Sequence, residues 1–213
     1  MGEDAPHILV LGIGNLLWAD EGWGVRVAEA VHQRFEFPDT VRVMDGGTQG
    51  LYLVHHICEA DVLLVFDAID YGLPPGTLKI VEGDDVPRFM GAKKMSLHQT
   101  GFQEVISTSV LLGKCPRHMM LIGVQPVELE DFGGSLRDQP KGKMEEAIRL
   151  GLDFLARFGI AAKPRQAAAD PISSAETALD IYESERPAED MAFRRGDIRF
   201  INRAADGEAS SCA

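Results

Sequence analysis

Basic residues are in the minority. Lys and Arg number 21 against 33 Asp and Glu, which leaves the 213-residue chain at −12. A surface of that sign repels phosphate, so neither nucleic acid nor an anionic membrane is expected as a partner. It suits cationic partners instead: metal ions, or a polypeptide with a basic segment. Cysteine is scarce too. Cys58, Cys115 and Cys212 are too few and too scattered for a disulfide framework or a paired-cysteine zinc site. No run approaches the 18 or so uninterrupted apolar residues of a membrane-crossing helix. The first residues carry Glu3 and Asp4 where a secretion signal carries basic ones. These lacks together predict a reduced, cytoplasmic protein with no membrane insertion. What is present is ordinary. At 45% apolar and 25% charged residues, the chain has the composition of a globular protein with its own core. Its length exceeds the ~150 residues of a typical domain, which predicts one domain and an appendage.

Two hydrophobic periods alternate through residues 1–160. Ile8–Leu11, Val41–Met44, Val62–Phe66, Thr77–Val81 and Met119–Val124 read as strands, too short to be helices. Val62–Phe66 and Met119–Val124 are apolar on both faces, as strands covered by helices on each side must be. Between them, Val27, Ala28, Val31 and Phe35 recur at helical spacing. Leu51–Cys58, the Phe102–Ser109 stretch and Met144–Phe158 read likewise. Strands alternating with helices predict an α/β protein of three α/β/α layers, with a mostly parallel, twisted sheet of about five strands. Residues 161–213 read as a tail with dispersed charge and few large apolar residues. A short helix around Ala175–Glu183 is expected there, and disorder over the last ten residues. Removing that tail is expected to cost little stability.

Function in such sheets lies beyond the carboxyl ends of the strands. Three strand ends deliver acids there: Asp20 and Glu21 after the first, Asp45 after the second, Asp67 after the third. Any one acid suits a turn or a helix start, but converging carboxylates repel unless a cation or a proton sits among them. Gly12 and Gly14 invite a dinucleotide reading, but the third glycine of that fingerprint falls on Leu17, and Asp20–Glu21 would repel a pyrophosphate. The glycines better suit a tight turn and the close approach of another chain or ligand. His98 lies in a polar loop, Lys93 to Gly101, leading into the Phe102 helix. Carboxylates with an imidazole suit a divalent transition metal such as zinc or nickel. Cys58 and Cys115 read as core thiols, and His55 and His56 as half-buried or surface residues of their helix. Gly-x-Ser-x-Gly, His-Glu-x-x-His and Asp-Thr/Ser-Gly are all absent. That removes the serine-hydrolase elbow, the zinc-protease helix and the two-aspartate dyad.

Gly12-Ile-Gly-Asn-Leu-Leu-Trp-Ala-Asp-Glu21-Gly-Trp-Gly-Val-Arg26, Asp45-Gly46-Gly47-Thr48, the strand-ending Asp67 and Ser96-Leu-His98-Gln-Thr-Gly101 follow one another in order. From about residue 7 to about residue 160 the chain resembles the nickel-iron hydrogenase maturation endopeptidases. The resemblance implies a twisted sheet between helix layers and an aspartic-type or metal-assisted peptidase. Such an enzyme removes a C-terminal peptide from the nickel-loaded precursor of a hydrogenase large subunit. It further implies that Glu21, Asp67 and His98 bind the metal and serve catalysis, and that Asp45, Gly46, Gly47 and Thr48 serve substrate recognition. Nickel would arrive with the precursor, and no nucleotide is implied. A non-catalytic nickel carrier for the same client would use the same three ligands. The resemblance does not reach residues 161–213.

Overall fold

The computed structural model describes residues 5–90, 97–167, 169–173 and 177–185. Five strands form its main sheet: β1 (Ile8–Ile13), β3 (Val41–Gly47), β4 (Val62–Ala68), β5 (Leu78–Glu82) and β6 (His118–Val124). Their order is β3-β1-β4-β6-β5. All neighbours run parallel except β5, an antiparallel edge strand on β6. Crossover helices lead from one parallel strand to the next: α1 (Trp23–Arg34), α2 (Val54–Glu59), α3 (Asp85–Met90) and α4 (Leu97–Leu111). α5 (Asp138–Lys141) and α6 (Met144–Ala156) follow β6.

Strand alternation sorts the core into two layers. Ile8, Val10, Leu64, Phe66, Met120 and Ile122 face Trp23, Val27 and Val31 of α1 and Ala147, Ile148, Phe154 and Leu155 of α6. Leu9, Leu11, Leu63, Val65 and Leu121 face Ile57 of α2, Val86 of α3 and Phe102, Val105 and Ile106 of α4. The sheet is therefore covered on both sides, and the three-layer expectation holds. β1 and β4 are buried along their whole length, as their unbroken apolar runs require.

Some boundaries differ from the sequence reading. β3 continues through Asp45, Gly46 and Gly47, because Asp45 still pairs with Gly12 and Gly47 with Ile13 across a register shift that skips Gly46. Leu51 lies in a 3₁₀ turn, Gly50–Leu53, and the α-helix starts only at Val54. α4 begins at Leu97, so His98 and Gly101 belong to that helix and not to a loop before it. Cys58 and Cys115 are half-buried, which leaves neither fully in the core. His55 is exposed and His56 half-buried, within the range expected of them.

After α6 the chain returns across α1. Lys163–Pro164 (β7) pairs antiparallel with Phe35–Glu36 (β2), and a last helix, α7 (Leu179–Glu185), follows. Phe193, Ile198, Phe200 and Ile201, the apolar residues of the far tail, lie outside the described residues.

Two glycines set how closely α1 approaches the sheet. A Cβ on Gly24 would lie 2.2 Å from the Phe66 carbonyl oxygen and 2.4 Å from that of Ile13. One on Gly12 would lie 2.4 Å from the Gly24 carbonyl oxygen. Backbone cannot rotate away as a side chain can. Gly24→Ala is expected to cost about 3 kcal/mol or more, at the upper end of overpacking penalties, read as a lower urea midpoint at unchanged slope.

Candidate active site at the carboxyl edge of the sheet

The turn after β1 is built around a buried carboxylate. Asp20 is fully buried, and its Oδ2 accepts the backbone N–H groups of Val127 (2.8 Å) and Glu128 (3.0 Å). Its Oδ1 accepts that of Arg137 at 2.7 Å. The Asp20 N–H donates in return to the Glu128 carbonyl at 3.1 Å. The segment after β6 is thereby tied to the turn after β1, and Trp18 packs edge-on against Phe132 at 5.3 Å. Ala19, held between these ties, has φ +30°, in the left-handed region that L-residues seldom adopt. Asp20 is thus a structural acid.

Gly14 explains how Glu21 is placed. Its φ is +137°, and a Cβ there would sit 1.7 Å from the Glu21 carbonyl oxygen. The glycine pair expected to admit another chain or a ligand instead admits this chain's own backbone: α1 against Gly12, the Glu21 peptide against Gly14. Glu21 lies half-buried within the 3₁₀ turn Ala19–Gly22, and loss of hydration pushes its carboxyl up to about 7.

Asp67, the penultimate residue of β4, lies opposite Gly123 of β6 and is fully buried. It shares strand parity with Leu63 and Val65, so it faces the α2–α4 layer. Tyr71 lies on the same face, and a Cβ on Gly123 would meet its hydroxyl at 2.5 Å. Burial, reinforced by the charge of Asp67, raises the Tyr71 phenol above its ordinary range. His98 falls in the first turn of α4. That helix runs back to the start of β6 through residues 112–117, so its N-terminal turn lies at the carboxyl edge, on the face of the sheet that Asp67 occupies.

Asp45 reaches the same edge but the other face. It shares parity with Val41 and Val43, which pack against the α1–α6 core. Burial raises its carboxyl and the charge of Glu29 adds to this, while the Gly47 N–H and Arg26 pull it back. The acids that the sequence brings to one edge thus divide between two faces: Asp67 on the α4 side, Asp45 on the α1 side. Gly46 packs over Leu11 and Ile13, and Thr48 is exposed. Among the described residues one other cluster could hold a metal ion: His55, His56 and Glu59 on α2, with Arg42 donating to His56 Nδ1 at 3.1 Å.

The hydrogenase maturation protease family, HycI, matches residues 25–153. A hydrogenase expression/formation protein, HupM, of Azotobacter chroococcum is 60% identical over 201 residues, spanning 94% of this chain and 96% of that one. The chain belongs to the hydrogenase maturation protease family. The hydrogenase 2 maturation protease of Escherichia coli is 39% identical over 165 residues, covering 77% of this chain and 99% of its own. Among solved structures, the E. coli hydrogenase maturating endopeptidase HybD superposes with a TM-score of 0.71 at 38% identity. It covers 75% of this chain and 98% of its own, so a quarter of this maturation protease has no counterpart in it. No described helix is long and apolar enough to cross a membrane.

The raised carboxyl of Glu21 carries a sign. Its folded value of about 7 exceeds its ordinary 4.5, so Glu21 favours the folded state most fully below pH 4.5 and loses that contribution as pH rises through 7. Glu21→Gln removes the ionisation. In chelator-treated protein the variant is expected to melt higher than the parent at pH 8, the gap closing by about pH 4.5. A gap that widens as pH falls would contradict the burial of Glu21 as the cause.

Proposed function

We propose that this maturation protease removes the C-terminal peptide of a nickel-iron hydrogenase large-subunit precursor, and that Glu21, Asp67 and His98 meet the nickel which that precursor carries. The observation that supports this most is that a half-buried Glu21, after β1, and a fully buried Asp67, near the end of β4, both lie at the carboxyl edge of the sheet. Two carboxylates withdrawn from water favour a cation beside them, and oxygen donors with one imidazole suit nickel. Nickel is here part of the substrate. Binding it would hold Glu21 deprotonated at neutral pH despite its raised carboxyl.

Hydrolysis needs a polarised carbonyl and an activated water. The ion can polarise the scissile carbonyl as a Lewis acid or acidify a bound water. Alternatively, a carboxylate of the set that the ion leaves free takes the proton from water as a general base. Either route makes this an acid-rich, metal-assisted peptidase without the paired aspartates of pepsin-like enzymes. Asp45, with Gly46, Gly47 and Thr48, is assigned to recognition of the precursor. Its position on the face away from Asp67 supports a role in holding the client and not in cutting it.

Purified enzyme mixed with nickel-loaded and nickel-free precursor, with the products weighed, tests the reading. Only the nickel-loaded form is expected to lose its C-terminal peptide. Cleavage of both forms would remove nickel from the mechanism; cleavage of neither, with nickel bound, would make the protein a carrier. Glu21→Gln, Asp67→Asn and His98→Ala are each expected to lower processing by at least about 100-fold, since even outer-shell changes at metal sites cost 10–100-fold. A variant that processes at the parental rate excludes that residue as an essential ligand. Since the ion comes and goes with the client, prolonged chelation is expected to leave the melting temperature of the isolated enzyme unchanged.

A further inference from the structure

The described residues of the segment after Ile160 make a series of polar contacts with the domain. The Arg165 N–H donates to the Arg34 carbonyl at 2.8 Å, and its Nε to that of His32 at 3.0 Å. The Glu29 carboxylate accepts the N–H groups of Ile172 (3.2 Å) and Ser173 (3.3 Å) and the Ser173 hydroxyl (3.0 Å). Arg26 donates to the Thr177 carbonyl, and its guanidinium stacks 5.5 Å from the centre of the Tyr182 ring. Arg26 and Glu29 are only 5% and 6% exposed, so two charged side chains of α1 lie buried against this strap.

Its far end reaches the segment that holds Asp20. Glu183 Oε1 accepts the Ser135 hydroxyl at 2.7 Å, and its two oxygens take Lys141 Nζ at 2.8 and 2.9 Å. Ser135 lies two residues before Arg137, whose N–H binds Asp20 Oδ1, and Asp20 immediately precedes Glu21. The segment from Val127 to Lys141 is therefore gripped twice, by Asp20 from inside and by Glu183 from outside.

We propose that Glu183 is a positioning residue for the proteolytic site, the strap holding the 127–141 segment so that Asp20 keeps the Glu21 turn in place. The inference rests on the reading of Glu21 as a reacting group. Removing the outer grip frees the segment to drift, and with it the acceptor geometry at Asp20. Placement errors of a reacting group near 1 Å cost about 100-fold in rate, so a partial loosening predicts a smaller kinetic loss.

Two measurements on the full-length enzyme decide it. In Glu183→Ala, hydrogen exchange at the Val127, Glu128 and Arg137 amides is expected to quicken by about tenfold. With nickel-loaded precursor, kcat is expected to fall about 5–10-fold with KM within about twofold. Ser135→Ala, which leaves α7 intact, is expected to move both readouts the same way by less. The exchanged pair Lys141→Glu/Glu183→Lys is expected to restore them in part. Glu82→Gln, at the surface ion pair with Arg157, serves as the control for a remote charge change. Parental exchange at the three amides in Glu183→Ala overturns the proposal, as does faster exchange confined to Ile172 and Ser173 at unchanged kcat. Should Glu21→Gln process at the parental rate, the assignment of Glu21 fails, while the amide exchange still decides whether the strap fixes the turn.

Discussion

The site depends on a carboxylate that touches no substrate in the proposed reading. Asp20 has lost all contact with water and is compensated by three backbone N–H groups drawn from residues 127, 128 and 137. Replacing hydration by directed hydrogen bonds is what makes a buried charge tolerable. Few other groups could do it here, since each of the three donors would be left without an acceptor if the carboxylate were absent. The fit also explains why a non-glycine residue at φ +30° persists at Ala19. Neighbours tied from both sides over-determine its backbone. Glu21 inherits its position from this knot and needs no long element of its own to carry it.

A second constraint is how near α1 comes to the strand ends. Gly12, Gly14 and Gly24 let peptide groups of the turn and helix lie directly on β1 and β4, where any Cβ would collide with a carbonyl. The spacing of the first two resembles a nucleotide fingerprint because the demand is similar, close backbone approach after a strand. What approaches differs. In a nucleotide site it is a pyrophosphate; here it is the Glu21 peptide and the start of α1. The space a phosphate would need is filled by the chain itself.

Most of the fold was legible because it is written in apolar periodicity. The two-faced runs Val62–Phe66 and Met119–Val124 could only be central strands, and they are. The helical spacing of Val27, Ala28 and Val31 located α1. Edges were harder. Asp45-Gly46-Gly47 reads as a strand end from composition, yet the pairing of Gly12 and Ile13 extends β3 through it. Polar, glycine-containing 97–101 reads as loop, yet tertiary packing of Phe102 and Val105 carries the helix back through it. At the site, the edge that gathers the acids was legible from where strands stop. Asp20 as a structural acid was not, because its partners lie more than a hundred residues away and are backbone groups that every sequence supplies. The short helix expected around Ala175–Glu183 appears as α7, but how the strap docks was illegible for a related reason: contacts through Arg26, Glu29, Lys141 and Glu183 leave no pattern in the sequence.

Parity along the strands separates two carboxylates that the sequence places at one edge. Asp67 faces the helix layer of α4 and Asp45 the layer of α1, with β1 between their strands in the sheet. A peptidase with a folded, metal-bearing client, as proposed for this chain, must hold a large surface and act on one bond. If carboxylates for both jobs crowded one pocket, each would raise the others' ionisation cost, and a bound cation would be shared with groups meant to read the chain. In the proposed reading, the acid assigned to recognition lies across the sheet from Asp67 and is kept apart from the ion by the strands between them. That position also brings Asp45 beside Arg26, whose positive charge offsets part of the cost of burying it. Arg26 in turn is held by Thr177 and Tyr182 of the strap, which joins the proposed recognition face to the same segment that grips the 127–141 loop. One stretch of chain thus touches, through Arg26 and through Ser135 and Lys141, the supports of both carboxylates.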